Sequence, residues 1–374
     1  MSFRIMLAGG GTGGHVYPLV AVAEELKRQA PATGKNVEIQ FIGDGDLMRD
    51  TAMELGFKYH RVMAPKWRRY FSIKNFLDLF KIPIGLIQAF VYVWTFMPDA
   101  MLVKGGYASF LPALAAKFLA VPLIVHESDS VPGKVNLLWG KLSQRVFISF
   151  DYTRKYFRAN RTELIGTPIR PAVVTLIDKT QALAAFQFKD DKPVVFISGG
   201  SQGAQSINEV VMTDLIEFIK KYSIIHQCGP NNFDAMDQQL KIIIKEEAAS
   251  FGPAIEASYR LFGTLNEVQL AQAYSAADVV VSRAGSMIFE LSVIGKPAII
   301  IPFKDAAQNH QMINAREFES SGGIIVEQDN LTPHILLAEI ARAYERREEI
   351  GDKIKQFAKP DAASIIAKEL LQAS

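Results

Sequence analysis

The stretch Arg4-Ile5-Met6-Leu7-Ala8-Gly9-Gly10-Gly11-Thr12-Gly13-Gly14-His15 decides the fold, because a strand-length apolar run leads directly into glycines. We predict a helix after it, starting near Val16 with Pro18 in its first turn. Such a strand, turn and helix let backbone amides and the positive end of the helix face an anion. Glycines are also what any tight turn needs, so the pattern alone leaves both interpretations open.

The same glycines fit the pattern G-x-G-x-x-G, which suggests a nicotinamide-dependent oxidoreductase. That class places an acidic residue about 20 positions further on, where it binds a ribose. The nearest acid at a strand end is Asp44, 30 positions after Gly14. The spacing therefore argues against a dinucleotide site.

Short β-branched runs alternate with helix-length segments along the whole chain, which predicts parallel sheets built from βα units. The two prolines of residues 167–171 interrupt this alternation. We therefore predict two Rossmann-like, doubly wound α/β domains facing across a cleft: residues 1–166, a linker at 167–171, residues 172–358, and a C-terminal helix at 359–374 that could pack back on the first domain. The predicted strands are 4–7, 37–42, 60–63, 100–103, 123–126, 146–149 and 163–165, then 194–198, 224–227, 260–262, 279–282, 298–301 and 324–326.

Composition excludes several classes of protein. The 374 residues are 49% hydrophobic, and a net charge of +2 gives no overall signature of nucleic-acid binding. Residues 1–165 hold 21 basic and 13 acidic side chains, a balance of +8, whereas residues 166–374 hold 20 and 26, a balance of −6. A single cysteine, Cys228, excludes an intrachain disulfide, and we expect it to be a small buried side chain. We expect no signal peptide and no metal site.

Two further glycine turns follow predicted strands, at residues 105–109 (GGYAS) and 199–204 (GGSQGA). With the first turn, the chain has three glycine turns that could bind an anion, which is more than the pyrophosphate of one dinucleotide would use. A pyrophosphate on each of two substrates would use them. His15 lies at the mouth of the first turn and could accept a proton near neutral pH, or could simply cap the helix. Glu290, near a predicted helix start, could accept both hydroxyls of a ribose or could be an ordinary surface acid.

Residues 58–81 hold seven basic side chains against one acid, Asp78, and are rich in aromatic residues. This combination is typical of a surface that meets anionic lipid headgroups, although a core helix with basic flanks would also fit. The apolar run that follows, residues 82–97, is shorter than the roughly 20 residues that span a bilayer. The membrane-face candidates are Trp67, Arg68, Arg69, Phe71 and Lys74.

The ordered set GGGTGGH, KGGYAS, HESD, IGTPIR, SGGSQGA, SRAGS with Glu290, and NHQ with Asn314-Ala315 resembles the MurG family of peptidoglycan glycosyltransferases. The resemblance runs from residue 9 to residue 315. It implies two Rossmann-like domains of the B type and a metal-independent, inverting hexosyltransferase without a cofactor. Such an enzyme moves N-acetylglucosamine from UDP-N-acetylglucosamine to the 4-hydroxyl of undecaprenyl-pyrophosphoryl-N-acetylmuramoyl-pentapeptide (lipid I), making lipid II, as a peripheral protein on the cytoplasmic face of the bacterial membrane.

The resemblance also assigns residues. It implies that His15 is the base, with Glu127 as a second catalytic candidate, and that Asp129 lines the cleft. The other implied positions are Thr12, Gly13 and Gly14 at the donor sugar; Arg170 and Ser201 at the diphosphate; Gln202 as a further substrate-binding residue; Leu265 at the uracil; Ser286 along the nucleotide; Glu290 at the ribose; Gln311 at the sugar hydroxyls; and Gly105, Gly106 and Tyr107 on the acceptor side.

The chain departs from the family pattern in three places. Asp129 replaces an asparagine, Phe110 and Leu111 replace glycines, and the segment before Glu290 is one residue shorter than usual. Two enzyme alternatives stay open: a related transferase that acts on another lipid such as diacylglycerol, and a UDP-sugar epimerase, which would have no need of the basic and aromatic surface. A noncatalytic membrane adaptor would leave the three glycine turns unexplained.

Overall fold

The computed structural model describes residues 2–64, 81–189 and 192–373. The predicted membrane-face residues Trp67, Arg68, Arg69, Phe71 and Lys74 lie outside these ranges. The chain divides into two compact units, Met1–Arg170 with Lys359–Ser374, and Pro171–Ala358. The predicted linker at 167–171 spans the point of division, and the last segment of the chain belongs to the first unit.

The first unit contains a seven-stranded parallel sheet in its described residues, with the order β3-β2-β1-β4-β5-β6-β7. Its strands are β1 Phe3–Gly10, β2 Val37–Asp44, β3 Lys58–Arg61, β4 Ala100–Val103, β5 Leu123–Glu127, β6 Arg145–Ile148 and β7 Thr162–Leu164. Its helices are α1 Gly13–Gln29, α2 Asp46–Glu54, α3 Lys81–Phe96, α4 Phe110–Phe118, α5 Lys134–Leu142 and, at the end of the chain, α17 Ala362–Gln372.

The second unit repeats this architecture with a six-stranded parallel sheet among its described residues, in the order β10-β9-β8-β11-β12-β13. Its strands are β8 Val194–Ser198, β9 Ser223–Gln227, β10 Tyr259–Phe262, β11 Val279–Ser282, β12 Ala298–Ile300 and β13 Ile324–Ile325. Its helices are α6 Pro171–Val174, α7 Lys179–Ala185, α8 Gln205–Thr213, α9 Leu215–Lys221, α10 Phe233–Glu246, α11 Gly252–Ser258, α12 Glu267–Ala276, α13 Met287–Ile294, α14 His310–Glu319, α15 Pro333–Glu345 and α16 Arg347–Ile354.

The central strands are buried on both faces, as expected of parallel strands covered by helices. Residues Ile5–Ala8 of β1 and Val194–Ile197 of β8 are at most 1% exposed. The predicted α/β class with two doubly wound sheets is therefore confirmed. Cys228 is buried, as expected.

The start of α1 differs from the sequence prediction. The helix begins at Gly13 and not near Val16, because the backbone amides of His15 and Val16 both donate to the Thr12 carbonyl, at 3.0 and 3.2 Å. Pro18 consequently lies in the interior of the helix and not in its first turn. The earlier start brings the first free amides of the helix into the glycine turn itself.

The C-terminal helix α17 completes the core of the first unit. Ile366, Leu370 and Leu371 are at most 3% exposed and belong to the same apolar cluster as Leu19 and Leu26 of α1. Polar contacts support this packing, since Gln29 donates to the Ser364 hydroxyl at 2.8 Å and Arg145 pairs with Glu369 at 3.1 Å.

A buried histidine joins the sheet of the second unit to α8. The amide nitrogen of Asn208 donates to the Cys228 carbonyl at 2.9 Å, which leaves its oxygen to accept from His226 Nε2 at 3.0 Å. The other ring nitrogen then accepts from the Tyr259 hydroxyl at 2.6 Å. Burial lowers the pKa of His226 from 6.5 to about 3, so the imidazole is neutral near pH 7.

This pKa shift makes the second unit sensitive to acid. In the unfolded chain His226 becomes protonated as the pH falls below 6.5, whereas in the folded chain it stays neutral down to about pH 3. The free energy of unfolding should therefore decrease as the pH falls from 6.5 to about 3. We expect His226→Gln to reduce the fall in unfolding temperature between pH 7 and pH 4, measured by scanning calorimetry. His334→Gln, at an exposed position of α15, is the control. An unchanged pH dependence in His226→Gln would contradict this assignment.

Candidate functional site

Three strand ends of the first unit form one edge of the sheet. β4 pairs in parallel with β1 on one side and with β5 on the other, so the turns after these strands emerge together. The backbone amide of Lys104, directly after β4, donates to the carbonyl of Ala8 at 2.9 Å. This edge gathers the first glycine turn, the second glycine turn and the HESD segment.

The first glycine turn depends on the absence of side chains. Gly10 has a φ of +132°, and a Cβ built on it would lie 2.1 Å from the carbonyl oxygen of Asp44 in the neighbouring strand. Gly11 has a φ of +91°, and a Cβ there would lie 3.5 Å from the ring of Tyr107. The first and second glycine turns therefore approach each other closely.

His15 lies between these two turns. Its Nδ1 is 3.2 Å from the Thr12 hydroxyl, and a Cβ on Gly106 would lie 3.5 Å from its Cε1. When Nδ1 carries the ring proton and donates it to Thr12, Nε2 is the nitrogen that can accept a proton. The residue keeps part of its surface exposed to solvent, although many protein atoms lie near the imidazole ring. Burial, together with the nearby Lys104, lowers its pKa to about 4, while Asp129 opposes the shift.

The HESD segment is organised by the carboxylate of Glu127. This side chain is 4% exposed and accepts hydrogen bonds from the amides of Asp129, at 2.9 Å, and Gly133, at 3.1 Å. Its second oxygen also accepts from the Asn136 side chain at 2.9 Å. Burial and the neighbouring Asp129 raise the pKa of Glu127 to about 7, and the hydrogen bonds oppose this. Glu127 thus holds the loop that carries Asp129, which is itself partly exposed.

Two polar residues of this edge were not among the sequence candidates. Lys104 is 1% exposed and donates to the Ser128 hydroxyl, and Asn136 fills the space beside Gly105, where a Cβ would lie 2.6 Å from its amide nitrogen. A lysine directly after a four-residue buried strand was a signal that could have identified Lys104. Nothing in the sequence around Asn136 marked it.

Arg170 lies beside the same helix as His15. Its guanidinium carbon is 4.0 Å from the centroid of the Tyr17 ring, in a cation–π arrangement. The structure therefore places this predicted diphosphate ligand in the first unit, at the end of the segment that leads into the second.

In the second unit, the predicted ribose acid is held by a buried tyrosine. Glu290 lies in the first turn of α13, as predicted, and accepts from the hydroxyl of Tyr274 at 2.5 Å. Tyr274 is fully buried, so it fixes one carboxylate oxygen while the rest of Glu290 stays partly exposed. Tyr274 lies 16 residues before Glu290 in the sequence, and no sequence pattern predicted their contact.

The other candidates of the second unit lie in turns and at helix starts. Ser201 and Gln202 lie in the turn between β8 and α8, where Gly203, with a φ of +77°, approaches the Cys228 carbonyl. Ser286 occupies the N-cap position of α13 without a side-chain capping hydrogen bond, and Leu265 precedes Asn266, which closes a capping box on α12. Gln311 accepts from the amide of Phe303 at 2.9 Å and so anchors the turn after β12.

Arg283, directly after β11, was also missed by the sequence reasoning. It is 8% exposed, and its guanidinium donates to the carbonyl of Ile301 at 3.0 Å and to the Ser206 hydroxyl of α8 at 2.8 Å. It therefore ties the turn after β11 to the helix that follows the third glycine turn. In the part of the chain that the structure describes, no group of three His, Cys, Asp or Glu side chains could hold a metal ion.

Family models match both units: the glycosyltransferase family 28 N-terminal domain over residues 5–148 and the C-terminal domain over residues 194–368. A Clostridium tetani protein named UDP-N-acetylglucosamine--N-acetylmuramyl-(pentapeptide) pyrophosphoryl-undecaprenol N-acetylglucosamine transferase is 33% identical over 359 residues, 95% of this chain and 94% of that protein. A Legionella pneumophila (strain Paris) protein of the same name is 33% identical over 95% of this chain and 93% of its own.

The chain belongs to the MurG family of family 28 glycosyltransferases. Among solved structures, Acinetobacter baumannii MurG superposes with a TM-score of 0.70 at 24% identity, with all of both chains covered. A UDP-GlcNAc 2-epimerase from Neisseria meningitidis superposes with a TM-score of 0.67 at 15% identity, also with complete coverage. At these identities the two solved structures support a similar fold and no shared function. The MurG family therefore shares this fold with at least one epimerase.

The first glycine turn offers a matched pair of substitutions. Gly10→Ala forces a side chain into a positive-φ position and against the Asp44 carbonyl, and should cost at least about 1–3 kcal/mol of unfolding free energy. Gly14→Ala should cost far less, because Gly14 has no positive φ and the nearest atom to its built Cβ is 4.0 Å away. Urea unfolding measures both. Equal losses in the two variants would contradict the close approach of β1 and β2 at this turn.

Proposed function

We propose that this chain transfers N-acetylglucosamine from UDP-N-acetylglucosamine to the 4-hydroxyl of the N-acetylmuramoyl group of lipid I, making lipid II. The observation that carries the proposal is its membership of the MurG family over nearly the full length of both units. The neutral imidazole at the first glycine turn supports it, because attack by a sugar hydroxyl needs a base that is unprotonated near pH 7.

The proposed reaction is a direct displacement that inverts the anomeric carbon. His15 removes the proton from the acceptor hydroxyl as its oxygen bonds to the anomeric carbon, and the bond from that carbon to UDP breaks. Arg170, Ser201 and Gln202, with the amides of the glycine turns, stabilise the charge on the departing diphosphate. In this proposal no metal ion is needed.

The donor residues have separate tasks in this proposal. Glu290, fixed by Tyr274, accepts from the ribose hydroxyls, and the backbone at Leu265 faces the uracil. Ser286 lies along the nucleotide, Gln311 reads the sugar hydroxyls, and Thr12, Gly13 and Gly14 approach the donor sugar. The acceptor side uses Gly105, Gly106 and Tyr107, with Asp129 accepting from a hydroxyl. Glu127 holds the Asp129 loop, because its oxygens already accept three hydrogen bonds.

The donor class can be tested by ligand-induced stabilisation of the whole chain. UDP-N-acetylglucosamine should raise the unfolding temperature more than UDP-glucose does, and NAD should leave it unchanged. Tyr274→Phe should weaken the UDP-dependent shift, because Glu290 loses the hydroxyl that orients it. A rise with NAD and none with either UDP-sugar would refute the proposed donor.

The role of His15 can be tested by its removal. His15→Ala should lower kcat on a lipid I analogue about 100- to 10,000-fold, the usual contribution of a general base, while the thermal shift with UDP-N-acetylglucosamine persists. His60→Gln, in β3, controls for loss of a histidine from the same unit. Near-normal turnover of His15→Ala would remove His15 as the base and leave Asp129 as the next candidate.

We further propose that the chain works as a peripheral protein on the cytoplasmic face of the membrane, where nucleotide sugars are found. In the described residues, none of the helices combines the length and apolar character that a bilayer crossing requires. The outer face of α3 supports membrane contact, because Ile87 and Trp94 are 65% and 60% exposed. Ile84 and Val91 continue this stripe, and Phe118, 80% exposed, lies against Phe90 of the same helix.

Membrane contact through this stripe predicts a selective loss of vesicle binding. Replacing both Ile87 and Trp94 by glutamate should weaken sedimentation with anionic vesicles at least about tenfold, since it removes buried apolar area and repels the headgroups. Val268→Glu, at a 66% exposed apolar position of α12, should bind like the unsubstituted chain. Equal binding by the double variant and this control would refute α3 as the docking surface.

A further inference from the structure

Glu127 holds only one side of the loop that carries Asp129. Its carboxylate accepts from the backbone amides of Asp129 and Gly133, at 2.9 and 3.1 Å. Both of its oxygens act as acceptors, and the second also accepts from the Asn136 side chain. The backbone carbonyls in the enclosed part of this loop therefore need a donor from elsewhere in the fold.

Thr153 supplies that donor from the end of the neighbouring strand. β6 pairs in parallel with β5, and the amide of Ser149 extends the pairing by donating to the Glu127 carbonyl at 3.0 Å. The chain then enters a short 3-10 helix that contains Thr153. The Thr153 hydroxyl donates to the carbonyl of Asp129 at 3.0 Å and lies 3.2 Å from that of Ser130.

This contact is enclosed by protein. Thr153 and Ser130 are both fully buried, so water cannot readily replace the hydroxyl. A hydroxyl has one proton, which the two carbonyls share. Removing a donor from such a place costs more than losing a hydrogen bond at the surface, because the acceptors lose it without gaining solvent.

The two contacts fix Asp129 by its backbone. Glu127 holds its amide and Thr153 holds its carbonyl, so both hydrogen-bonding groups of the Asp129 backbone are bound within the first unit. Asp129 replaces an asparagine of the family pattern. A carboxylate can accept from a sugar hydroxyl but cannot donate as an amide does, so its direction relative to the hydroxyl proton matters for binding.

We propose that Thr153 is a positioning residue for the acceptor: by holding the Asp129 carbonyl opposite Glu127, it directs the Asp129 carboxylate toward a hydroxyl of the lipid-linked sugar. This inference rests on the proposed function for its role in acceptor binding. The hold on the loop is a property of the folded chain and can be measured without substrate.

The test removes the donor while keeping the shape of the side chain, in Thr153→Val. Thr162→Val is the matched control, because Thr162 is also buried in the first unit and its hydroxyl donates to a carbonyl outside this loop, that of Arg158, at 2.8 Å. The first readout is hydrogen exchange of a peptide that covers residues 128–133, measured by mass spectrometry. Thr153→Val should speed this exchange about three- to tenfold, the usual effect of one hydrogen bond on a local opening, and Thr162→Val should leave it unchanged.

The second readout separates the acceptor from the donor. Thr153→Val should raise KM for a lipid I analogue about three- to tenfold and leave KM for UDP-N-acetylglucosamine unchanged. Thr153→Ser keeps the hydroxyl and should restore both readouts. A merely structural role would affect both KM values or neither, and would do so equally in Thr162→Val. If Thr153→Val does not fold, Thr153→Ala removes the same donor without placing a methyl group against the carbonyls.

The outcomes keep this inference distinct from the proposed function. Unchanged exchange in Thr153→Val, an equal change in Thr162→Val, or no rescue by Thr153→Ser would overturn the hold on the loop. Faster exchange with an unchanged KM for the acceptor would overturn the role in acceptor binding. Faster exchange in a chain that cannot use lipid I would establish the hold on the loop and refute the transferase assignment.

Discussion

The parallel pairing of β1 with β4 and of β4 with β5 is the constraint on which the site of the first unit depends. Parallel strands end at the same edge, so three segments far apart in the sequence emerge side by side. They fit there only because Gly10 and Gly105 leave room for the Asp44 carbonyl and the Asn136 side chain. The position of His15 follows from this arrangement.

Burial is the largest influence on the pKa of each titratable group named at this edge, His15, Lys104 and Glu127. Enclosure alone would push His15 and Lys104 toward their neutral forms and would also protonate Glu127. The three backbone and side-chain donors to Glu127 and the proximity of Lys104 counter that tendency for the carboxylate. For His15 the ammonium and the enclosure act in the same direction, so the imidazole is unprotonated near pH 7. The second unit uses buried hydrogen bonds, from Tyr274 and Arg283, to orient its own polar groups.

Much of the fold could be predicted from the sequence, because parallel strands buried on both faces are continuous apolar runs. All thirteen strands of the described residues overlap the predicted ones, although β1 is longer because it continues into the first glycine turn as far as Gly10. The start of α1 could not be predicted, because it depends on hydrogen bonds to one carbonyl, that of Thr12. Glycine turns and Glu290 were visible as patterns; Lys104, Asn136 and Tyr274 were not among the candidates, since their importance arises from neighbours distant in the chain.

The central claim is that this chain joins a UDP-linked sugar to a lipid-linked one. The most direct measurement is mass spectrometry of the lipid products after the chain is incubated with UDP-N-acetylglucosamine and, in separate reactions, lipid I, diacylglycerol or no acceptor. The account predicts that lipid I gains one N-acetylhexosamine with equimolar UDP, and that the other two reactions give no product. Glycosylated diacylglycerol, or UDP released without any acceptor, would contradict it.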